Sequence, residues 1–428
     1  MTFVLIFLGV LFGLMALGVP VGIVLLLCGM AIMAALGVND PRTVGQYMLN
    51  GLNLYILMAL PFFILSGELM GKGGLMRRIV DVSRLFVGRF RGGLGYTAVV
   101  TALIFSGLTG SALAESAALG TMLIPLMSEA GYNKARSGGF IASTTVLAPL
   151  IPPSNAFIVI GVACNLSISR LMLGGIAPGF VFAFALMIGW FIIAKRDGYN
   201  DQRKYTHEEA KIIVKDAIPA LVMPVLVVGG IRFGWFTPTE AGAFCVVYAL
   251  LVCNFYYKEL NWKKTKEALL EAALSTGAIA LVIAGAKILG YYLTMARLHV
   301  LMVELMGGLV DRPLMFLLAI NLFLLLIGLV MDMVPSILIF GPILLPMVAA
   351  AGIDPYLFAL IMCVNLNLGL ITPPVGMVLF IMQRITRENF MTLVIKSLPF
   401  LVITLVVLLL YVFFPQLYLV PLRLIFGK

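Results

Sequence analysis

The sequence predicts an all-α polytopic membrane protein built from two inverted-topology repeats, and three observations support this fold class. The 428 residues are 62% hydrophobic and only 11% charged, whereas a soluble protein carries roughly 25% charged residues. Basic residues cluster between long apolar runs, and glycine and proline recur at one fixed spacing in both halves of the chain. A soluble enzyme with a single anchoring helix is therefore excluded.

Basic residues predict the orientation of the chain. Of the 29 lysine and arginine residues, 21 lie in five clusters, over residues 72–91, 134–136, 195–215, 258–266 and 384–396. Such clusters remain on the cytoplasmic side of a membrane. The net charge of +10 thus reflects orientation and not nucleic-acid binding. With five isolated cysteines and only two histidines, we expect no disulfide, zinc site or histidine proton relay.

The apolar runs predict full spans over residues 3–18, 19–37, 50–75, 171–194, 212–231, 240–257, 267–293 and 397–420. Another run must leave and return to the cytoplasmic side, because Arg91 and Lys134 both belong to basic clusters. Its glycine- and serine-rich centre is poor for a helix interior. We therefore predict a re-entrant helical hairpin over about 92–131, and by the same reasoning a second over about 312–351.

Each predicted hairpin precedes an apolar run that contains a proline pair. The runs cover about 134–163 and 355–383, and the pairs are Pro152-Pro153 and Pro373-Pro374. Proline lacks a backbone donor and interrupts the helical hydrogen bonds. Both runs are therefore predicted to be discontinuous transmembrane helices.

Internal repetition ties the two halves together. An offset of 221 residues matches six glycine or proline pairs without a gap, where chance predicts about one: Gly107/Gly328, Gly120/Gly341, Pro125/Pro346, Gly131/Gly352, Pro152/Pro373 and Pro153/Pro374. We assign residues 1–200 to the first repeat and 201–428 to the second. Since the first hairpin enters from the cytoplasm and the second from outside, the repeats are predicted to be inverted.

Inverted repeats with broken helices are typical of secondary transporters, which bind substrate and ions near the membrane midplane. Unwound backbone and small polar side chains supply oxygen ligands that suit a monovalent hard cation. The predicted Na⁺ ligands of the first repeat are Ser106, Gly107, Thr109, Gly110, Thr144, Thr145 and Pro152. Those of the second repeat are Gly328, Asp332, Asn365, Asn367, Gly369, Thr372 and Pro373.

A few charged residues lie within apolar runs and are candidates for function. Glu115 and Asp332 are predicted site residues, and the alternative is a structural hydrogen bond within a hairpin arm. Lys287 is either a counter-charge for substrate or a lysine whose side chain extends to the membrane surface. Glu68 lies near a cytoplasmic helix end and is predicted to be interfacial.

Several motifs resemble those of one transporter family. They are LPFFILSGELM over 60–70, SGLTGSA over 106–112, IPPS over 151–154, FTPTEAG over 236–242 and GLITPPVG over 369–376. Together they resemble the large membrane subunit of tripartite ATP-independent periplasmic (TRAP) transporters, over essentially the whole chain.

The resemblance implies an elevator-type carrier of the bacterial inner membrane, driven by a Na⁺ gradient, and not an enzyme. It implies two partners, a small four-helix membrane subunit and a soluble periplasmic protein that captures an organic anion such as a carboxylate or sialic acid. It also implies substrate contacts from Ser111, Glu115 and Ser154, with the adjacent Asn155.

Other function classes fit the sequence less well. A self-sufficient sodium–carboxylate symporter with similar hairpins is the main alternative. An ion channel would not need inverted repeats within one chain, and no catalytic constellation in the spans supports an intramembrane enzyme. ATP-driven transport lacks a GxxxxGK[ST] motif.

Overall fold

A computed structural model describes residues 2–38, 40–109, 111–203, 205–297 and 307–427. All regular structure in these ranges is helical. In chain order the α-helices are α1 (Thr2–Ala16), α2 (Val21–Ala35), α3 (Pro41–Leu52), α4 (Ala59–Lys72), α5 (Leu75–Val87), α6 (Gly93–Thr109), α7 (Ala112–Glu129), α8 (Lys134–Thr144), α9 (Asn155–Cys164), α10 (Ile168–Asp197), α11 (His207–Arg232), α12 (Pro238–Leu251), α13 (Trp262–Met295), α14 (Pro313–Val330), α15 (Met333–Ala350), α16 (Pro355–Gly369), α17 (Met377–Thr386), α18 (Phe390–Phe413) and α19 (Gln416–Phe426).

The predicted membrane character is confirmed. Within the described ranges, eight helical segments are long and apolar enough to cross a membrane: α4 with its preceding turn, α10, α11, α12 with its following turn, α13, α14, α15 and α18. Helices α1 and α2 have 15 residues each, about 22 Å at 1.5 Å per residue. They are shorter than the spans predicted over 3–18 and 19–37.

Two predicted span boundaries are wrong. The span predicted over 50–75 joins the end of α3 to α4, although extended backbone at Leu54 separates these helices. The span predicted over 397–420 crosses the break between α18 and α19. Pro415 has no backbone donor and restricts the residue before it, so the helix ends at Phe413.

Two helical hairpins are present at the predicted positions. Helix α6 packs against α7, and α14 packs against α15. The chain is extended at Ser111, just before α7, and at Asp332, just before α15. Both second helices therefore begin directly after the hairpin turn.

The two discontinuous helices are confirmed. Helix α8 and a short 3-10 turn are followed by Pro152 and Pro153, and helix α9 begins only at Asn155. Helix α16 ends at Gly369, and α17 begins after the second proline pair. Both proline pairs are joined by cis peptide bonds.

The helices form two groups that meet at the hairpin turns. In the first group, α9 packs against α15 and α17 packs against α7, so the broken helices of each half contact the hairpin of the other half. In the second group, α13 packs against α2, α3 and α4, and α12 packs against α4. Contacts of α13 with α15 and of α4 with α6 join the groups.

The base of the first hairpin is hydrogen-bonded to the last turns of α10 and to the segment that follows this helix. The carboxylate of Asp201 accepts hydrogen bonds from the backbone N–H groups of Gly93 and Leu94, at 3.1 and 3.2 Å. Trp190 donates through Nε1 to the carbonyl of Gly92 at 2.8 Å. These bonds supply partners for backbone groups at the beginning of α6.

Candidate functional site

A cavity of about 410 Å³ lies between the two helix groups, at both hairpin turns. One wall contains the turn residues Ser111 and Asp332 together with Asn155, the first residue of α9. The opposite wall is formed by α4 and α13, through Ile64, Gly67, Glu68, Gly71, Ser275, Ala278, Ile279 and Val282. Three predicted site residues from both halves of the chain thus share one cavity.

Three helices begin at this cavity, namely α7, α9 and α15. The first backbone N–H groups of a helix lack partners within it and carry partial positive charge. At α7, the Ser111 hydroxyl accepts one such bond, from Ala114 at 3.4 Å. The Asp332 side chain does not cap α15. The cavity therefore combines positive helix ends with a size suited to a small organic anion.

Glu115 lies behind the first turn, fully buried, and does not line the cavity. Its Oε2 atom accepts a hydrogen bond from Ser106 Oγ at 2.8 Å, which connects the two arms of the hairpin. Its Oε1 atom has no hydrogen-bond partner among the described residues. The geometry thus contains the structural hydrogen bond that was the alternative to a substrate contact.

Ser154 uses its hydroxyl within its own half of the chain. The hydroxyl donates to the carbonyl of Pro149 at 2.7 Å and accepts from the backbone N–H of Phe157 at 3.3 Å. It therefore caps α9, and Asn155 is the neighbour that reaches the cavity.

The remaining predicted ligands of the first repeat lie around the two breaks. Gly107 and Thr109 belong to the last turn of α6, whereas Gly110 lies outside the described residues. The hydroxyls of Thr144 and Thr145 donate to carbonyls one turn back in their own helix, at 2.8 and 2.7 Å. Pro152 is buried in the turn before α9.

Two glycines of the second repeat touch directly. A Cβ atom added to Gly328 would lie 2.9 Å from the carbonyl oxygen of Leu366 and 3.1 Å from Cα of Gly369. A Cβ on Gly369 would meet the backbone of Gly328. Nearby, Thr372 donates through its hydroxyl to the carbonyl of Leu368 at 2.6 Å, and Pro373 is half-buried.

Two asparagines of α16 connect this helix to other elements. Asn365 donates to the carbonyl and the side-chain oxygen of Asn321, at 2.9 and 2.7 Å. Asn367 donates to the carbonyl of Thr145 at 2.7 Å, which joins the predicted ligand clusters of the two repeats. Both asparagines are 1% exposed, and in the described part of the chain neither Oδ1 atom has a hydrogen-bond partner.

Sequence reasoning missed three contributors. Asn321 is the one polar residue in the apolar sequence of α14, which is a signal that could have identified it. Glu68, predicted to be interfacial, lines the cavity. The wall formed by α13 consists of small and aliphatic residues whose role becomes visible only once the helices are packed.

Comparison with known proteins identifies the family. Residues 8–417 match the family described as "Tripartite ATP-independent periplasmic transporter, DctM component". The chain is 42% identical over 420 residues to a putative TRAP transporter large permease protein of Haemophilus influenzae, covering 98% of this chain and 99% of the relative.

Two further relatives have named substrates. The 2,3-diketo-L-gulonate TRAP transporter large permease protein YiaN of Escherichia coli is 41% identical, with 98% of this chain and 99% of the relative covered. The sialic acid TRAP transporter large permease protein SiaM of Vibrio cholerae is 36% identical, with 94% and 95% covered.

Among solved structures, the fold is similar to that of the YdaH transporter of Alcanivorax borkumensis. The TM-score is 0.58 at 16% identity, with 90% of this chain and 87% of that chain covered. Family match and relatives agree over nearly the whole length. The chain therefore belongs to the DctM family, the large permease component of TRAP transporters, and is a multi-pass inner-membrane transport protein.

Proposed function

We propose that this permease component imports an organic acid anion together with Na⁺, driven by the Na⁺ gradient, and receives the anion from a periplasmic binding protein. The observation that carries the proposal is the cavity at both hairpin turns, where three helix N-termini meet between two helix groups. Partial positive charge at helix ends attracts a carboxylate without the cost of burying a full charge.

The substrate class follows from the cavity and from the names of the relatives. The relatives are named for 2,3-diketo-L-gulonate, sialic acid and isethionate, all of which are organic acids. A volume of about 410 Å³ accommodates a molecule of that size. Two of the three are carboxylates and the third is a sulfonate, so we infer an organic acid anion and favour a carboxylate, such as a C4-dicarboxylate or a sugar acid.

Transport occurs by an elevator movement in this proposal. The first helix group, with both hairpins and both broken helices, slides along the wall that α4 and α13 form. The hairpins are re-entrant, and the two repeats have inverted topology. The same order of hairpin, helix, proline break and helix in both halves supports this arrangement.

Sodium is the co-transported cation in this proposal, bound by the oxygen atoms of the two ligand clusters predicted above. Asn365 and Asn367 supply buried Oδ1 atoms that lack partners among the described residues. Amide and carbonyl oxygens are ligands that hard cations prefer. A bound cation would supply the missing partner for these oxygen atoms, within the helix group that carries both hairpins.

Two partners complete the transporter in this proposal. One is a small membrane subunit with four helices, and the other is a soluble periplasmic binding protein. The family description itself names a tripartite assembly. The sialic acid TRAP transporter permease protein SiaT of Haemophilus influenzae is 34% identical, and this chain covers only 65% of it. The remaining third has room for a fused small subunit.

Reconstitution tests the proposal. Proteoliposomes containing the permease, its small subunit and its binding protein should accumulate at least one labelled acid from a panel of 2,3-diketo-L-gulonate, N-acetylneuraminate and isethionate. Uptake should require an inward Na⁺ gradient, and uptake that persists after the gradient collapses would refute the coupling. Uptake by the permease alone would favour the self-sufficient symporter instead.

A substitution at the first hairpin turn tests the site. Ser111→Phe places a large side chain at the cavity and should abolish uptake while the protein remains folded. Thr121→Phe is the matched control, because Thr121 is exposed on α7, the helix that Ser111 caps, and does not line the cavity. Normal uptake by the Ser111 variant would remove this turn from the substrate site.

A further inference from the structure

A second cavity lies farther along the interface between α13 and α15. It has a volume of about 330 Å³ and is lined by Lys287 of α13 and by Tyr47 of α3, with Leu338 and Pro342 of α15. No acidic residue in the described part of the chain forms an ion pair with Lys287. The half-buried Lys287 therefore lines this space without an acidic partner among the described residues.

One continuous face of α13 connects the two cavities. Ser275, Ala278, Ile279 and Val282 line the cavity at the hairpin turns, and Ile283, Ala286, Lys287, Gly290 and Thr294 line the second cavity. Spacings of three and four residues place all of them on one side of the helix. From Ile279 to Lys287 the distance along the axis is about 12 Å. A group that slides along α13 thus moves from one set of residues to the other.

The two cavities differ in their charged side chains. The charged residues that line the cavity at the turns are both acidic, Glu68 and Asp332. The charged residue that lines the second cavity is the base Lys287. Coulomb energy from a full positive charge therefore adds to the attraction for an organic anion only beside Lys287, whereas at the first cavity the helix ends act without a basic side chain among the described residues.

The position of Lys287 along α13 assigns the second cavity to a side of the membrane. Lys263, Lys264 and Lys266 lie at the start of this helix, in a basic cluster that the positive-inside rule assigns to the cytoplasm. Lys287 is 21 residues beyond Lys266, about 32 Å along the axis. This is the thickness of the hydrocarbon layer, so Lys287 lies at the periplasmic edge.

The Lys287 side chain is directed by packing. A Cβ atom added to Gly51 of α3 would lie 2.6 Å from Cγ of Lys287, so the apolar stem rests against this glycine. The stacked rings of Tyr47 and Tyr291, with centroids 4.0 Å apart, form the adjacent wall.

We propose that Lys287 captures the carboxylate or sulfonate of the substrate in the outward-facing state, when the hairpin turns lie beside the periplasmic half of α13. Movement toward the cytoplasm then separates the anion from Lys287 and leaves it beside Glu68, where the described lining of the cavity contains no basic side chain, and this loss of attraction favours release. This inference rests on the proposed function. It adds a residue outside the hairpins that determines where the anion binds tightly.

Thiol modification tests the inference without a known substrate. Gly290→Cys introduces a thiol one turn from Lys287, at a position where an added Cβ meets no atom within 4 Å. Gly277→Cys is the matched control on the same helix, equally free of neighbours and outside both cavities. The five native cysteines are buried, and unmodified protein supplies the background rate. Each thiol reacts with methanethiosulfonates bearing either a sulfonate or a trimethylammonium group, added from the periplasmic side.

Each rate is divided by the rate of the same reagent with a free thiol in solution. The ratio of the sulfonate rate to the trimethylammonium rate should then exceed one at Gly290→Cys. One charge about 8 Å away in a partly hydrated site changes each rate roughly fivefold, in opposite directions. Adding Lys287→Met should therefore lower the ratio by about tenfold or more, whereas Lys287→Arg should preserve it. At Gly277→Cys neither change should alter the ratio.

Three results would overturn the inference. The first is a ratio at Gly290→Cys that changes by less than about twofold after Lys287→Met. The second is a thiol that resists both reagents because lipid fills the cavity. The third is a thiol that reacts only from the cytoplasmic side. The rates are measured without substrate or Na⁺, so failure of the uptake experiment above leaves this result independent. Failure here likewise leaves uptake itself unchallenged.

Discussion

The contact between Gly328 and Gly369 predicts a large effect from a single methyl group. In Gly369→Ala, the added Cβ would meet the backbone of Gly328, and backbone atoms cannot move aside by changing a rotamer. Relief requires that α14 and α16 separate. Overpacking of this kind costs about 1–3 kcal/mol, and alanine in place of glycine at a helix end returns less than about 1 kcal/mol.

We therefore expect Gly369→Ala to lower the free energy of unfolding by about 1–2 kcal/mol. The midpoint of thermal unfolding in detergent, followed by tryptophan fluorescence, should fall by about 1–2 °C, because the unfolding entropy of a chain of 428 residues is about 0.9 kcal/mol/K. Gly290→Ala is the matched control, because its added Cβ meets no atom within 4 Å. This control should be neutral or slightly stabilised by its helix propensity. A Gly369→Ala protein as stable as the control would refute the close contact between the two helices.

Two other substitutions test hydrogen bonds that link distant segments. Asn367→Leu leaves the buried carbonyl of Thr145 without its donor and should destabilise the protein by about 1–3 kcal/mol, measured by thermal unfolding against Asn50→Leu, an exposed position of α3, for comparison. Asp201→Ala removes the acceptor for Gly93 and Leu94; a loss of about 0.5–2 kcal/mol should appear with faster proteolysis near residue 201, and unchanged cleavage would contradict the role of this bond.

The features that could be predicted from the sequence are those with local causes. A proline pair interrupts a helix wherever it occurs, so both discontinuous helices were located before any packing was known. The first hairpin turn, rich in glycine and serine, and the second, expected by the same reasoning, were likewise located, and one residue of each, Ser111 and Asp332, lines the cavity. Short breaks such as that before α4 were missed, because an apolar run alone does not show where one helix ends and another begins.

The features that could not be predicted depend on contacts between distant residues. Asn321 and Asn365 are 44 positions apart, and no periodicity indicates that they meet. Ser154 illustrates the opposite case, because its hydroxyl is occupied by Pro149 and Phe157. A serine immediately before a helix commonly caps it, so this role was available from sequence and weighs against direct substrate contact.

The hydrogen bond from Asn367 to Thr145 also has a consequence for biosynthesis. The two residues are 222 positions apart, and ribosomes add about 5–20 residues per second. The carbonyl of Thr145 therefore waits roughly 10–45 s for its partner while the first half of the chain is already in the membrane. During that interval the broken helix around residue 145 needs water, lipid headgroups or an insertion factor as hydrogen-bond partners for its backbone.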